Sequence, residues 1–314
     1  KEGLFRDSPI TPAARANDAT DVWAARHGNY LSHGAQPFRS ASIDHIQCGK
    51  LDCDRDGSEF PGANLGLYSV TYLNDLEQDK RTLEAFHAFR EEAERKRFRY
   101  FLEVFDPNVD SGIPPEKLGE FINDQILRTL AGITEAGRPD FLKIVYHGPR
   151  YMEEICQYDP NLVVGVLGGS AGTTYDAFRL LHDAKKHGAR VALFGRKINN
   201  AEHQLAFIEF LRLIAEDTIT PEEAVHAYHG VLQGKGITPN RPLEKDLELT
   251  EQSMRYGDTG DRPSVAIRNN PLAKRKPEPL PPSAAWPTKP GGAPDFASMS
   301  AGQRLAYHTA RLRR

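Results

Sequence analysis

Apolar and polar residues follow two different rhythms along this chain, and the rhythms sort it into elements. Strand-length runs rich in β-branched and aromatic residues occur at 67–72, 99–105, 141–146, 162–167 and 190–194. Between them, apolar positions recur at helical spacing. Leu76 to Lys96 sets Leu83, Phe86 and Ala93 on one face and charges on the other. Pro114-Pro115-Glu116 opens a helix whose apolar face is Phe121, Ile122, Ile126, Leu127 and Leu130. Further helices are predicted near 150–157, over 174–187 with Gly188 at its C′ position, and over 201–214. One more starts at Thr220, where Glu223 completes a capping box, and ends by Gly234. Residues 65–215 thus read as five strands, each followed by a helix. That is a parallel α/β pattern.

The expected fold is a (β/α)8 TIM barrel, because the glycine turns stand at the carboxyl ends of strands, where such barrels bind ligands. Its amino-terminal strands must be degenerate or incomplete. Residues 1–62 are broken by proline and glycine and are too short for three βα units of about 30 residues each. Within them, Val22-Trp23-Ala24-Ala25 reads as a short helix and Ser42-Ile43-Asp44-His45-Ile46 as a short strand. The predicted barrel domain spans 1–238, clearest over 65–215. An extended, basic, proline-rich arm spans 239–314.

Composition narrows the function classes. The chain has 314 residues, 39% hydrophobic and 26% charged, enough apolar material for one large core. A formal net charge of -3 argues against a globally basic nucleic-acid binder, and no nucleic-acid partner is expected. Residues 262–314 carry ten Lys/Arg against Glu278 and Asp295, which makes them +8 and the rest -11. The arm is therefore expected either to lie over the acidic body of its own or a neighbouring subunit, anchored by Trp286 and Phe296, or to be a free disordered tail. A homo-oligomer is expected. Three cysteines are not a disulfide framework and fit a reducing, cytoplasmic setting. No apolar run reaches spanning length, so no membrane partner is expected.

Cys48-x4-Cys53 offers half a zinc site, with no second Cys/His pair at zinc spacing. Asp52-Cys53-Asp54-Arg55-Asp56-Gly57 matches the opening of an EF-hand loop, but Ala63 stands where the bidentate Glu belongs. The histidines form no HExxH. No metal and no cofactor are expected.

The candidate chemistry centres on Lys143, a lysine inside the apolar strand 141–146. An amine in a desolvated barrel lumen loses its proton more readily and can attack a carbonyl. The bland alternative is a strand-end lysine paired with a carboxylate. Glu103 occupies a comparable place in the preceding strand and can either shuttle protons or simply neutralise Lys143. Tyr72 and Tyr146 are further proton-donor candidates, or packing residues. Gly168-Gly169-Ser170 and, one βα unit later, Gly195-Arg196 form strand-to-helix turns whose N–H groups suit a phosphate.

These residues resemble a known family. Asp140-Phe141-Leu142-Lys143-Ile144-Val145-Tyr146 resembles the Schiff-base strand of class I aldolases of the archaeal and bacterial fructose-bisphosphate type, with their tagatose-bisphosphate and sulfosugar-phosphate relatives. Gly168-Gly169 resembles that family's seventh-strand phosphate turn, and Gly195-Arg196-Lys197-Ile198 its eighth-strand turn. Val70-Thr71-Tyr72-Leu73-Asn74-Asp75 and the Glu103 strand resemble the tagatose-bisphosphate branch. The resemblance covers about half the chain. It departs at Leu65-Gly66-Leu67, where that branch has a lysine. Asp44 resembles the local motif of the family's first-strand aspartate. The resemblance implies a lyase of carbohydrate metabolism: Lys143 forms an iminium, Glu103, Tyr146, Tyr72 and Asp44 assist, and Gly168, Gly169, Ser170, Gly195 and Arg196 hold the phosphate of a phosphorylated substrate. An inactive barrel used for binding or scaffolding, and a phosphosugar isomerase or epimerase, are the alternatives.

Overall fold

The computed structural model describes residues 10–21, 27–54, 60–169, 172–250, 287–290, 295, 298–300 and 303. The chain divides into two compact units, Lys1–Ser264 and Val265–Arg314. In the second, the Asp295 N–H donates to the Pro287 carbonyl at 2.8 Å. Trp286, Phe296 and the predicted helix at 22–25 lie outside the described residues.

The first unit is built on one parallel sheet. Its strands are β1 (Ala14–Arg15), β4 (Leu65–Thr71), β5 (Arg99–Phe105), β6 (Leu142–Ile144), β7 (Val164–Leu167) and β8 (Val191–Leu193), ordered β1-β4-β5-β6-β7-β8. A separate antiparallel pair joins β2 (Asp18–Ala19) to β3 (Pro37–Phe38). The five strands expected from the sequence are β4 to β8, and the helices between them fall where the periodicity puts them. They are α2 (Leu76–Arg95), α3 (Leu118–Leu130), α4 (Pro149–Tyr158) and α5 (Thr174–Lys186). After β8 come α6 (Arg196–Asn199), α7 (Gln204–Ala215), α8 (Pro221–Gly234) and α9 (Leu243–Asp246). The Thr220–Glu223 capping box is formed at the start of α8.

The closed eight-stranded barrel is not formed. The six strands sweep 183° round an axis and leave an open half-barrel. The physical reason lies in the amino-terminal segment. Among the described residues it supplies to this sheet only the two-residue β1, which pairs with β4, and β8 pairs with β7 alone. The segment 42–46 is a second correction. It is not a strand but part of α1 (Ile43–Cys48), because the Ser42 side chain accepts the His45 N–H and Gly49 closes the helix at φ 71°. Cys48 and Cys53 are joined as a disulfide, with Cα atoms 5.7 Å apart.

Strand alternation gives the sheet two faces. The even positions Tyr68, Val70, Tyr100, Leu102, Val104, Leu142, Ile144, Val164 and Val166 pack against Phe86, Phe89, Ile122, Ile126, Met152 and Ile155 of the covering helices. Tyr68 stacks on Phe89 with ring centroids 4.3 Å apart. The odd positions face the axis. A second core lies between α5, α7 and α8, around Phe178, Phe207, Phe210, Ile214, Val225 and Tyr228.

Candidate functional site

The parallel register lines up one polar row across the axial face. Ser69 pairs with Glu103, Glu103 with Lys143, and Lys143 with Gly165. The Lys143 ammonium forms an ion pair with Glu103 Oε1. Glu103 is almost fully buried, whereas the Lys143 side chain keeps 18% of its surface exposed. Glu103 Oε2 is buried and has no hydrogen-bond partner. A buried carboxylate oxygen left unpaired is costly, so this end of the pair is held by its surroundings rather than by its own satisfaction. Beside Lys143, Gly165 leaves the row bare: a Cβ there would stand 2.7 Å from the Leu142 carbonyl oxygen.

The next axial positions toward the strand starts are aromatic. Phe101 and Phe141 stack with centroids 4.5 Å apart. The other end of the row is fixed by Asn17. Its amide donates to the Ser69 carbonyl at 2.8 Å and accepts the Ser69 N–H at 2.7 Å. At the carboxyl ends of β5 and β6, His147 Nε2 bonds Asp106 at 2.9 Å. Asn17, Ser69, Asp106 and His147 are site residues that strand patterning did not single out. The His147-Gly148-Pro149 sequence immediately after the lysine strand was the available signal.

Other predicted residues fall elsewhere. Tyr72 continues the helix-covered face and bonds the Thr129 hydroxyl on α3, and burial pushes its phenol up to about 12. Tyr146 packs in the same helix-side core, with its hydroxyl buried and unpartnered and its phenol also pushed up by burial. Neither tyrosine faces Lys143. Asp44 is buried in α1, accepts the Cys53 N–H at 3.1 Å and pairs with Lys96 just before β5. That is the amino-terminal end of the sheet, opposite the glycine turns.

The phosphate turns are arranged differently from expectation. Gly169 and Gly172 take positive φ of 58° and 81°, and Ser170 lies outside the described residues. Gly195 and Arg196 are exposed at the start of the four-residue α6. The first amides of α5 are already used by carboxylates of the chain itself. Thr173 N–H donates to Asp176 at 2.7 Å, and Thr174 N–H donates to Asp246 Oδ1 at 2.8 Å. Residues 243–250, expected in the arm, form α9 and return to α5, where Thr250 N–H reaches Asp176 at 2.9 Å.

Among the described residues no group of three or more His, Cys, Asp or Glu side chains is placed to hold a metal ion. No described helix is long and apolar enough to cross a membrane. The chain matches no family model and no curated protein.

Proposed function

We propose that the chain is a lysine-imine enzyme of the class I aldolase kind, acting on a small carbonyl compound, with a phosphorylated sugar as the first substrate class to test. The observation that carries this reading is the Lys143–Glu103 pair, part-exposed at the amine and buried at the carboxylate, on the axial face of a parallel α/β sheet. Proton transfer from the Lys143 ammonium to Glu103 frees the amine lone pair. The amine adds to the substrate carbonyl, the proton returns from Glu103 to the oxygen, a second proton passes to it from the nitrogen, and the oxygen leaves as water to give the iminium. The iminium then accepts the electron pair of the breaking C–C bond. His147, oriented by Asp106 at the same strand ends, supports the reading as a second proton carrier. A phosphate would meet Arg196 and the Gly168–Gly169 turn, since Thr174 N–H is committed to Asp246.

The test is borohydride reduction in the presence of dihydroxyacetone phosphate or a ketose bisphosphate, followed by peptide mass mapping. The expected outcome is inactivation with mass added at Lys143, and no turnover in Lys143→Arg, whose guanidinium stays protonated. An unmodified Lys143 across a panel of phosphosugars favours the rival reading, in which the pair is only a neutralised ion pair inside a binding protein.

A further inference from the structure

Lys197 is 8% exposed, yet it forms no ion pair among the described residues. Its Nζ donates to the Gly172 carbonyl at 2.8 Å, and its remaining N–H donors have no described partner. It lines a pocket of about 160 Å³ shared with Thr174, Glu202, Arg241 and Asp246. Both carboxylates in that pocket are engaged elsewhere. Glu202 accepts the Asn240 N–H at 2.8 Å and the Tyr228 hydroxyl at 3.0 Å. Asp246 accepts Thr174 N–H at 2.8 Å and faces His229 Nε2 at 3.0 Å. Arg241 adds a second positive charge that likewise has no ion pair among the described residues. A desolvated amine beside another cation is the setting that makes lysine nucleophilic.

We propose that Lys197 is a nucleophilic amine whose pocket takes a small aldehyde or ketone bearing a carboxylate, with an imine forming at Nζ and the carboxylate meeting Arg241. Burial lowers the affinity of Lys197 for its proton and Arg241 acts in the same direction, against the opposing pull of Asp246, Asp176 and Glu202. Arg241, exposed and without an ion pair among the described residues, is the group a carboxylate would meet, and the polar lining disfavours a purely apolar carbonyl compound. The pocket size restricts the ligand to a few heavy atoms. In the step itself the neutral amine nitrogen adds to the carbonyl carbon and the π electrons move to oxygen. The proton shed by nitrogen goes to that oxygen. Expulsion of hydroxide, which takes up the second nitrogen proton as water, leaves the C=N bond. No oxidant or reductant takes part. This amine lies on α6, after the last strand, and is independent of the Lys143 row.

The test uses the full chain with pyruvate as the carboxylated probe and hydroxyacetone as the neutral one, trapped with cyanoborohydride at pH 7.5 and mapped by peptide mass. Lys197 is expected to gain the pyruvate adduct at least tenfold faster than the exposed Lys80 and Lys245. It should favour pyruvate over hydroxyacetone several-fold, and Arg241→Gln should slow the reaction and erase that preference. Labelling at Lys197 no faster than at Lys80, or equal labelling by both probes, overturns the proposal. The wild-type comparison decides even if the variant fails to fold. An adduct at Lys143 alone refutes this inference and leaves the preceding reading intact; an adduct at Lys197 alone supports this inference and leaves the preceding reading to its own test with phosphosugars.

Discussion

Lys143 on β6 and Lys197 on α6 are both withdrawn from water, but they are compensated in opposite ways. Lys143 meets a carboxylate that strand register places beside it. Lys197 meets a carbonyl oxygen, and the nearest engaged carboxylates face other donors. The first arrangement sets a countercharge against the amine; in the second, burial beside Arg241 disfavours the charged form. Position within a strand or a helix therefore says little about what a buried lysine does. The identity and commitments of its neighbours decide it.

Truncating each lysine sharpens the contrast. Lys143→Met leaves Glu103 buried with neither oxygen compensated, and is expected to cost about 3 kcal/mol by urea denaturation. Lys143→Met combined with Glu103→Leu should recover most of that loss. A double variant no better than the single one would show that the pair contributes little coupling.

A smaller effect is expected from Asp246→Asn, which removes the charge of the carboxylate that accepts the Thr174 N–H at the start of α5. The loss should be about 1–2 kcal/mol, read as a lower melting temperature. An unchanged melting temperature would mean that the return of residues 243–250 is held by other contacts.

Lys197→Met is expected to change stability by less than about 1 kcal/mol at neutral pH, because the lost hydrogen bond is offset by removal of an uncompensated buried cation. The pH dependence carries the sign. With its folded-state pKa below the ordinary 10.5, Lys197 binds its proton less tightly when folded. Its unfavourable contribution is fully present below the lowered folded pKa and fades as pH rises toward 10.5. The wild type should therefore gain stability relative to Lys197→Met as pH is raised through that window. Parallel stability curves for the two proteins would erase the distinction between the lysines.

Local order between residues 65 and 234 was legible because it depends on local periodicity and caps. Strand-length runs of apolar, β-branched and aromatic residues marked β4 to β8, and the Thr220–Glu223 box marked α8. The Glu103–Lys143 meeting was also within reach, since parallel neighbours in matched register bring corresponding side chains together. The segment 42–46 misled because Ile43 and Ile46 suit either element over so few residues, and the Ser42 cap with left-handed Gly49 tipped it to helix. Between the two roles open to Tyr72 and Tyr146, proton donor or packing residue, the sequence could not choose, because proximity to a lysine along the chain does not tell which face of the sheet a side chain takes past the strand end.

The amino-acid sequence by itself determined the βα units, the glycine turns at strand ends and the lysine inside an apolar strand, all of which rest on interactions within a few residues. Tertiary structure alone decided that the sheet stays open, that Asp44 serves Lys96 at the far end of the strands, and that Asp246 takes the amide at the start of α5. Each of these depends on which distant surfaces meet. Residues 52 to 72 positions apart are joined in the last two cases, and no local propensity specifies such a pairing.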